Sequence, residues 1–283
     1  MRLPLLTPLL TLPILPLTLA APLTPRASSS SSLPAYFLLA GDSTTATQSD
    51  NGGGWGDGFL NTTLQGGAAG KNYGHNGATT VSFREDGDWD EVLGDVKDKK
   101  GAYEVWVTVQ FGHNDQKEEK GISIDQYKAN LKQFAQDVKD AGGNPILVTP
   151  LSRRSFSSGK VKEDLAEQRT ATLAVASDAG VLALDLNQAS VDYLNAIGED
   201  NAHRYNLNSD DDTHLNVAGS VVFGNMVSWL MNKSDQGTEL GQWTKPEDKI
   251  QTAFEKGTFY YPGESLRRRA FEWIKNLKWF FES

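Results

Sequence analysis

Ser43 stands in the turn Gly41-Asp42-Ser43, which directly follows the apolar run 37–40. A serine at the end of a buried strand is held by rigid backbone and still reaches solvent, but its hydroxyl is a weak nucleophile without a base. His214 can be that base because imidazole titrates near neutral pH, and Asp211 can accept the other ring N–H. These residue types indicate acyl transfer, with Ser43 as nucleophile, His214 as base and Asp211 as the residue that orients the base.

Acyl transfer also needs hydrogen-bond donors aimed at the oxygen that becomes negative in the tetrahedral intermediate. The candidates are the backbone N–H groups of Ser43 and Gly77 and the side-chain amide of Asn114. Gly77 has no side chain, which would let its amide approach closely. Together these three donors form the predicted oxyanion hole.

Elements that would position these residues can be read from the pattern of apolar residues. Runs of apolar and β-branched residues predict five strands over 36–40, 71–73, 105–111, 145–149 and 181–185. Helical spacing predicts helices over 89–96, 123–141, 162–179, 187–196 and 215–231. This alternation indicates a three-layer α/β/α sandwich on a five-stranded parallel, flavodoxin-like sheet. With strand order 2-1-3-4-5, the loops holding Ser43, Gly77 and Asn114 become neighbours.

Composition excludes several classes of protein and site. The net charge of −9 over 283 residues argues against a nucleic-acid partner. The chain has no cysteine, which rules out disulfides, thiolate metal sites and a cysteine nucleophile. Residues 206–217 fail the EF-hand pattern, residues 65–72 fail the phosphate-loop pattern, and Thr45 breaks the Gly-x-Ser-x-Gly elbow.

The two ends of the chain differ from its middle. A basic start, a leucine-rich segment and Ala20-Ala21 predict a signal peptide over 1–21, and its prolines disfavour a membrane-spanning helix. The segment 22–34 is predicted to be a linker, and 33–235 the catalytic domain. After removal of the signal peptide, the protein is expected to be a secreted, extracellular monomer without a membrane span. The sequons at Asn61 and Asn232 are candidate glycosylation sites.

The last segment, 236–283, is predicted to be a C-terminal extension that ends in an amphipathic helix. Apolar residues share one face of 264–283, and basic residues lie elsewhere on the same helix. Such a helix could lie on a membrane, or it could pack on the catalytic domain or on a second copy of the chain. The sequence leaves these interpretations open.

Four ordered segments give the chain a specific resemblance. They look like the four blocks of the GDSL/SGNH hydrolase superfamily, and longer stretches resemble its rhamnogalacturonan acetylesterase branch. The segments are Gly41-Asp42-Ser43, Gly77, Gly112-His113-Asn114-Asp115 and Asp211-Asp212-Thr213-His214. The resemblance implies removal of acetyl groups from a pectic polysaccharide without metal or cofactor. The alternatives are an acetylxylan or broader acyl esterase, and a polysaccharide-binding protein that has lost catalysis.

Three further residues are candidates for substrate binding. His113 adjoins Asn114 and could contact substrate or serve in packing. Arg153 and Arg154 follow the fourth predicted strand on the active-site side, where a guanidinium could bind a substrate carboxylate. The competing interpretation is a salt bridge to one of the many acidic residues of the chain.

Overall fold

The computed structural model describes residues 33–50 and 52–270. Seven strands lie in these residues: β1 Ala35–Gly41, β2 Ala69–Asn72, β3 Glu104–Gln110, β4 Asn144–Val148, β5 Phe156–Ser157, β6 Lys160–Val161 and β7 Leu182–Leu184. Five of them form a parallel sheet in the order β2-β1-β3-β4-β7, and β5 and β6 form a small antiparallel hairpin. Because β7 is the fifth strand of the parallel sheet, the predicted order 2-1-3-4-5 is confirmed.

Helices cover both faces of this sheet. In chain order they are α1 Gly56–Thr62, α2 Ser82–Glu85, α3 Asp88–Lys99, α4 Ile124–Ala141, α5 Ala166–Ala179, α6 Leu186–Ile197, α7 Glu199–His203, α8 Val217–Lys233, α9 Gly237–Leu240 and α10 Asp248–Lys256, with a 3₁₀ turn at Glu118–Lys120. The start of α5 lies four residues after the predicted 162. Residues 162–165 form a loop and turn between the β5–β6 hairpin and the helix.

Alternate side chains of β1 enter two separate cores, as expected for a sheet covered on both faces. Phe37 and Leu39 pack with apolar residues of α1, α6 and α8. Leu38 and Ala40 pack with apolar residues of α3, α4 and α5 on the opposite face. The arrangement confirms the three-layer α/β/α sandwich.

The described part of the predicted C-terminal extension packs on residues 33–235, the predicted catalytic domain. Leu240 and Ala253 belong to the same core as Phe37. Residues 264–270 are helical, and Leu266 and Ala270 pack against Val221 of α8. The described part of the predicted amphipathic helix, residues 264–270, therefore uses its apolar face for internal packing. Residues 271–283 and the predicted signal peptide lie outside the described residues.

Within residues 33–50 and 52–270, no helix combines the length and the apolar character needed to cross a bilayer.

Candidate active site

Two hydrogen bonds connect the three residues predicted to carry the chemistry. Nε2 of His214 lies 2.8 Å from Oγ of Ser43, and Nδ1 of His214 lies 2.8 Å from Oδ2 of Asp211. Ser43 follows β1, whereas Asp211 and His214 lie in the loop before α8, so the fold joins positions that are 171 residues apart. This is the geometry in which an imidazole can take a proton from a serine hydroxyl.

Asp211 is held in the charged form that this arrangement requires. Its Oδ1 accepts the backbone N–H groups of Thr213 at 2.9 Å and His214 at 2.8 Å. Partial burial by itself would raise the pKa of Asp211, but these bonds and the ring of His214 outweigh burial and hold the pKa below its usual value. Asp211 therefore stays ionised and favours a proton on Nδ1 of His214.

Arg154 fixes the loop that contains His214. Its Nη2 donates to the backbone carbonyl of His214 at 2.7 Å, and its Nε donates to Oδ1 of Asn206 at 2.5 Å. The side chain has no exposed surface, and this burial lowers the pKa of Arg154 to about 10. The prediction that Arg154 contacts substrate does not agree with its burial, because a fully buried guanidinium cannot reach a ligand at the surface. Arg154 positions the loop.

The turn that carries Ser43 is held by buried polar side chains. Oδ1 of Asp42 accepts the backbone N–H of Thr44 at 2.9 Å and its hydroxyl at 2.7 Å. Gln110, at the end of β3, donates to Oγ1 of Thr44 at 2.6 Å and accepts from the indole of Trp55 at 2.9 Å. Neither Gln110 nor Trp55 was predicted to have a role, although both lie in longer stretches that carry the family resemblance, 54–56 and 110–115.

The predicted oxyanion donors lie on the loops after the first three strands of the sheet. Nδ2 of Asn114 donates to the carbonyl of Ala78 at 2.9 Å, which ties the Asn114 loop to the Gly77 loop. Gly77 has φ +80°, and a Cβ there would meet no atom within 4 Å. The left-handed backbone conformation is thus one reason for glycine at this position, and the close approach of its amide to an oxyanion stays a prediction.

His113 and Arg153 are the other two predicted substrate-binding residues. The structure favours a packing role for His113. Only 2% of its surface is exposed, and its Nδ1 lies 3.5 Å from Oδ2 of the buried Asp42. Arg153 keeps partial exposure, and it bonds to Oδ2 of Asp164 at 3.0 Å and to Oγ1 of Thr213 at 3.1 Å. Arg153 thus makes the salt bridge of the competing interpretation.

The two candidate glycosylation sites have side-chain amides that are already engaged. Asn61 donates to the carbonyl of Ala270 and Asn232 to that of Thr244, both at 3.2 Å. Glycosylation at these positions stays a prediction.

Among residues 33–50 and 52–270, no group of three or more histidines, cysteines or acidic residues is arranged to hold a metal ion.

The sequence model of the GDSL-like lipase/acylhydrolase family matches residues 39–222, a range that runs from the end of β1 into α8 and includes every predicted catalytic residue. The chain belongs to this family. It is a carboxylic ester hydrolase.

Two relatives of known sequence are similar to this chain over most of their length. A probable rhamnogalacturonan acetylesterase of Bacillus subtilis (strain 168) is 29% identical over 202 residues, which are 68% of this chain and 90% of the relative. A rhamnogalacturonan acetylesterase of the same strain is 28% identical over 211 residues, with 69% of this chain and 88% of the relative covered.

Solved structures share the fold. The X-ray structure of the Bacillus subtilis protein YxiM superposes with a TM-score of 0.62 at 23% identity over 71% of this chain. The match covers 57% of that structure, so this chain spans little more than half of it. An acetylxylan esterase of Geobacillus stearothermophilus superposes with a TM-score of 0.51 at 19% identity, covering 73% of this chain and 94% of that one. At these identities the two structures support the fold alone.

Proposed function

We propose that this family member is a secreted serine acetylesterase that removes acetyl groups from a plant cell-wall polysaccharide, with rhamnogalacturonan as the substrate. The observation that carries the chemistry is the pair of 2.8 Å hydrogen bonds that links Ser43, His214 and Asp211. The substrate class is supported by similarity to two relatives named rhamnogalacturonan acetylesterases, each matched over most of its length. Secretion is supported by the signal-peptide pattern in residues 1–21.

In the first half of the reaction, Oγ of Ser43 attacks the acetyl carbonyl carbon while its proton moves to Nε2 of His214. The carbonyl oxygen becomes an oxyanion and accepts hydrogen bonds from the N–H groups of Ser43 and Gly77 and from Nδ2 of Asn114. The intermediate then expels the sugar oxygen, which takes the proton from His214. Ser43 is left as its acetyl ester.

In the second half, water attacks the acetyl-serine carbonyl and gives one proton to His214. The new tetrahedral intermediate collapses, and Oγ of Ser43 leaves with the proton from His214. The product is acetic acid, which loses its remaining proton to solvent and becomes acetate. Asp211 remains ionised in both halves and stabilises the imidazolium that forms twice. Ser43, His214 and Asp211 end the cycle in the protonation states in which they began it, and no redox step enters it.

The test is acetate release by the purified protein from acetylated rhamnogalacturonan, acetylated homogalacturonan and acetylated xylan. We expect release from rhamnogalacturonan to exceed release from the other two, and Ser43→Ala to lower kcat by at least about 10³-fold with normal folding. Preference for xylan would instead assign an acetylxylan esterase. A folded Ser43→Ala variant with full activity would refute the mechanism.

A polysaccharide-binding protein without catalysis is the competing function of a different class. A fluorophosphonate probe separates the two, because only a serine activated by a base reacts with it. We expect one label per chain on the wild type and no label on Ser43→Ala. A wild type that binds polymer but resists the probe would favour the binding protein.

A further inference from the structure

We propose that Lys117 is a positioning residue for the oxyanion hole, where its ammonium group orients and polarises the side-chain amide of Asn114. Lys117 lies in the loop after β3 and has no role in the mechanism above. The inference rests on the proposed function, in which Nδ2 of Asn114 stabilises the oxyanion.

The amide of Asn114 is held at both of its ends. Nζ of Lys117 donates to Oδ1 at 2.8 Å, and Nδ2 donates to the carbonyl of Ala78 at 2.9 Å. Turning the amide by 180° would place its NH₂ group against an ammonium and its oxygen against a carbonyl oxygen. Both contacts are repulsive, so the pair of partners selects a single orientation.

This orientation leaves one N–H of the Asn114 side-chain amide free to donate a hydrogen bond to the oxyanion. An amide nitrogen carries two protons, and within residues 33–50 and 52–270 the carbonyl of Ala78 is the only acceptor that Nδ2 of Asn114 contacts. Asn114 is 5% exposed, so its amide is largely shielded from water. A second proton on a shielded and fixed donor is what a developing oxyanion requires.

The charges around Asn114 also favour a role for Lys117. Two buried carboxylates flank the same segment, Asp42 in the Ser43 turn and Asp115 next to Asn114. Each of them opposes the formation of an oxyanion nearby. Lys117 contacts no carboxylate in the described part of the chain, and it places its positive charge against Oδ1 of Asn114. A hydrogen bond from a cation draws electron density toward Oδ1 and makes the N–H groups of the same amide stronger donors.

The backbone keeps the ammonium group close to its target. The N–H of Lys117 donates to the carbonyl of Asn114 at 3.1 Å, so the two residues stand at the ends of one turn. The Lys117 side chain therefore reaches back to the amide across a short path.

The experiment compares Lys117→Met with Lys117→Arg and with Lys120→Met, using p-nitrophenyl acetate as substrate. This ester has no carboxylate, so Lys117 cannot act on it by binding a substrate anion. We expect Lys117→Met to lower kcat about 10-fold while KM changes less than about 2-fold, because the interaction lost is one that strengthens in the transition state. Lys117→Arg restores the cation, and we expect it to recover most of the loss.

Lys120→Met is the matched control. It removes the same charge from an exposed residue of the adjoining 3₁₀ turn. We expect it to keep wild-type kcat, and all three variants to keep the wild-type Tm within about 2 °C. Equal losses in Lys117→Met and Lys120→Met would reveal a general effect of charge and overturn the proposal, as would wild-type kcat in Lys117→Met.

A double-mutant cycle with Asn114→Ala tests whether Lys117 acts through the amide. If it does, adding Lys117→Met to Asn114→Ala lowers kcat by less than about 2-fold further, since the group that Lys117 polarises is already gone. A full additional 10-fold loss would contradict a positioning role. If Asn114→Ala alone keeps wild-type kcat, the failure lies instead with the oxyanion role in the proposed function.

Discussion

Three carboxylates stand in the loops around Ser43, and their surroundings give them different proton affinities. Hydrogen bonds hold the pKa of Asp211 below its usual value against the effect of partial burial. Burial also opposes the charge of Asp42, yet the neighbouring His113 and the bonds from Thr44 lower its pKa. At Asp115 the effect of burial is larger than that of two hydrogen bonds from Thr80, and it raises the pKa to about 6.

The raised pKa of Asp115 makes stability depend on pH. Between the ordinary value of 3.8 and about 6, the native state holds a proton that the unfolded chain releases, so stability falls as pH rises through this window. Above pH 6 the full cost of the buried charge is about 3 kcal/mol. Asp115→Asn removes this charge, and its side-chain oxygen can still accept both bonds from Thr80.

We therefore expect Asp115→Asn to match the wild type in free energy of unfolding near pH 4 and to exceed it at pH 7.5. Urea denaturation at the two pH values measures the difference, which should reach about 3 kcal/mol at most. Asp98→Asn, which neutralises an exposed acid on α3, should change little at either pH. A gain that is the same at both pH values would contradict the assignment.

Arg153 and Arg154 are adjacent in sequence and opposite in surroundings. Arg154→Met leaves the carbonyl of His214 and Oδ1 of Asn206 without their donor in a buried site, which should cost about 2 kcal/mol of stability. We also expect kcat to fall, because the loop that holds His214 loses its fixed position.

Arg153→Met is the comparison variant. The guanidinium of Arg153 is partly exposed, so its loss should lower the free energy of unfolding by less than about 1 kcal/mol. Chemical denaturation and p-nitrophenyl acetate turnover measure both variants. Equal effects on stability and kcat would show that the burial of Arg154 does not matter.

At the scale of elements, the contact between α1 and α8 brings the two halves of the candidate site together. The Ser43 loop leads into α1. The backbone N–H of Trp55, just before α1, donates to the carbonyl of Thr44 in that loop at 2.9 Å. The His214 loop leads into α8. A Cβ on Gly224 of α8 would lie 2.2 Å from the backbone nitrogen of Phe59 in α1. Only glycine permits this approach.

Gly224→Ala should therefore force the two helices apart, with a loss of about 2–4 kcal/mol in stability and a lower kcat. Gly94→Ala on α3 is the matched control, because a Cβ there would meet no atom within 4 Å. That substitution should be neutral or stabilise by up to about 1 kcal/mol, since alanine favours helix. Thermal unfolding of both variants checks the difference, and equal losses would argue against the glycine contact.

At the scale of the whole molecule, charge opposes the proposed substrate. The chain has a net charge of −9, and a galacturonate-containing polymer is also negative. Long-range repulsion is screened by salt, with a Debye length of about 30 Å at 0.01 M and about 8 Å at 0.15 M.

We expect KM for acetylated rhamnogalacturonan to fall as NaCl rises from about 10 to about 150 mM, while KM for p-nitrophenyl acetate stays constant. Initial rates at several ionic strengths measure both. A KM for the polymer that rises with salt would instead indicate a local basic surface that attracts uronate groups.

Much of the fold followed from local patterns in the sequence. Wholly apolar strands between amphipathic helices predicted the parallel sheet, because a parallel strand must be covered on both faces. The strand order was taken from the flavodoxin-like arrangement and did not follow from local patterns. The start of α5 was misplaced by four residues, because nothing in the local pattern of residues 162–165 separates a loop from the first turn of a helix. The candidate residues could be chosen by their chemical type and by their position in the chain. Ser43 follows a predicted strand, and Asp211 and His214 lie just before a predicted helix.

Tertiary structure decided which of these side chains meet and which are hidden. Nothing local distinguishes Arg153 from Arg154, and only the packing around residue 154 buries one and leaves the other at the surface. The contacts of Lys117 with Asn114 and of His214 with Ser43 likewise depend on how the loops are held. Sequence alone determined the chemical groups available to the protein, whereas distance, burial and charge environment arise only when remote segments share one core.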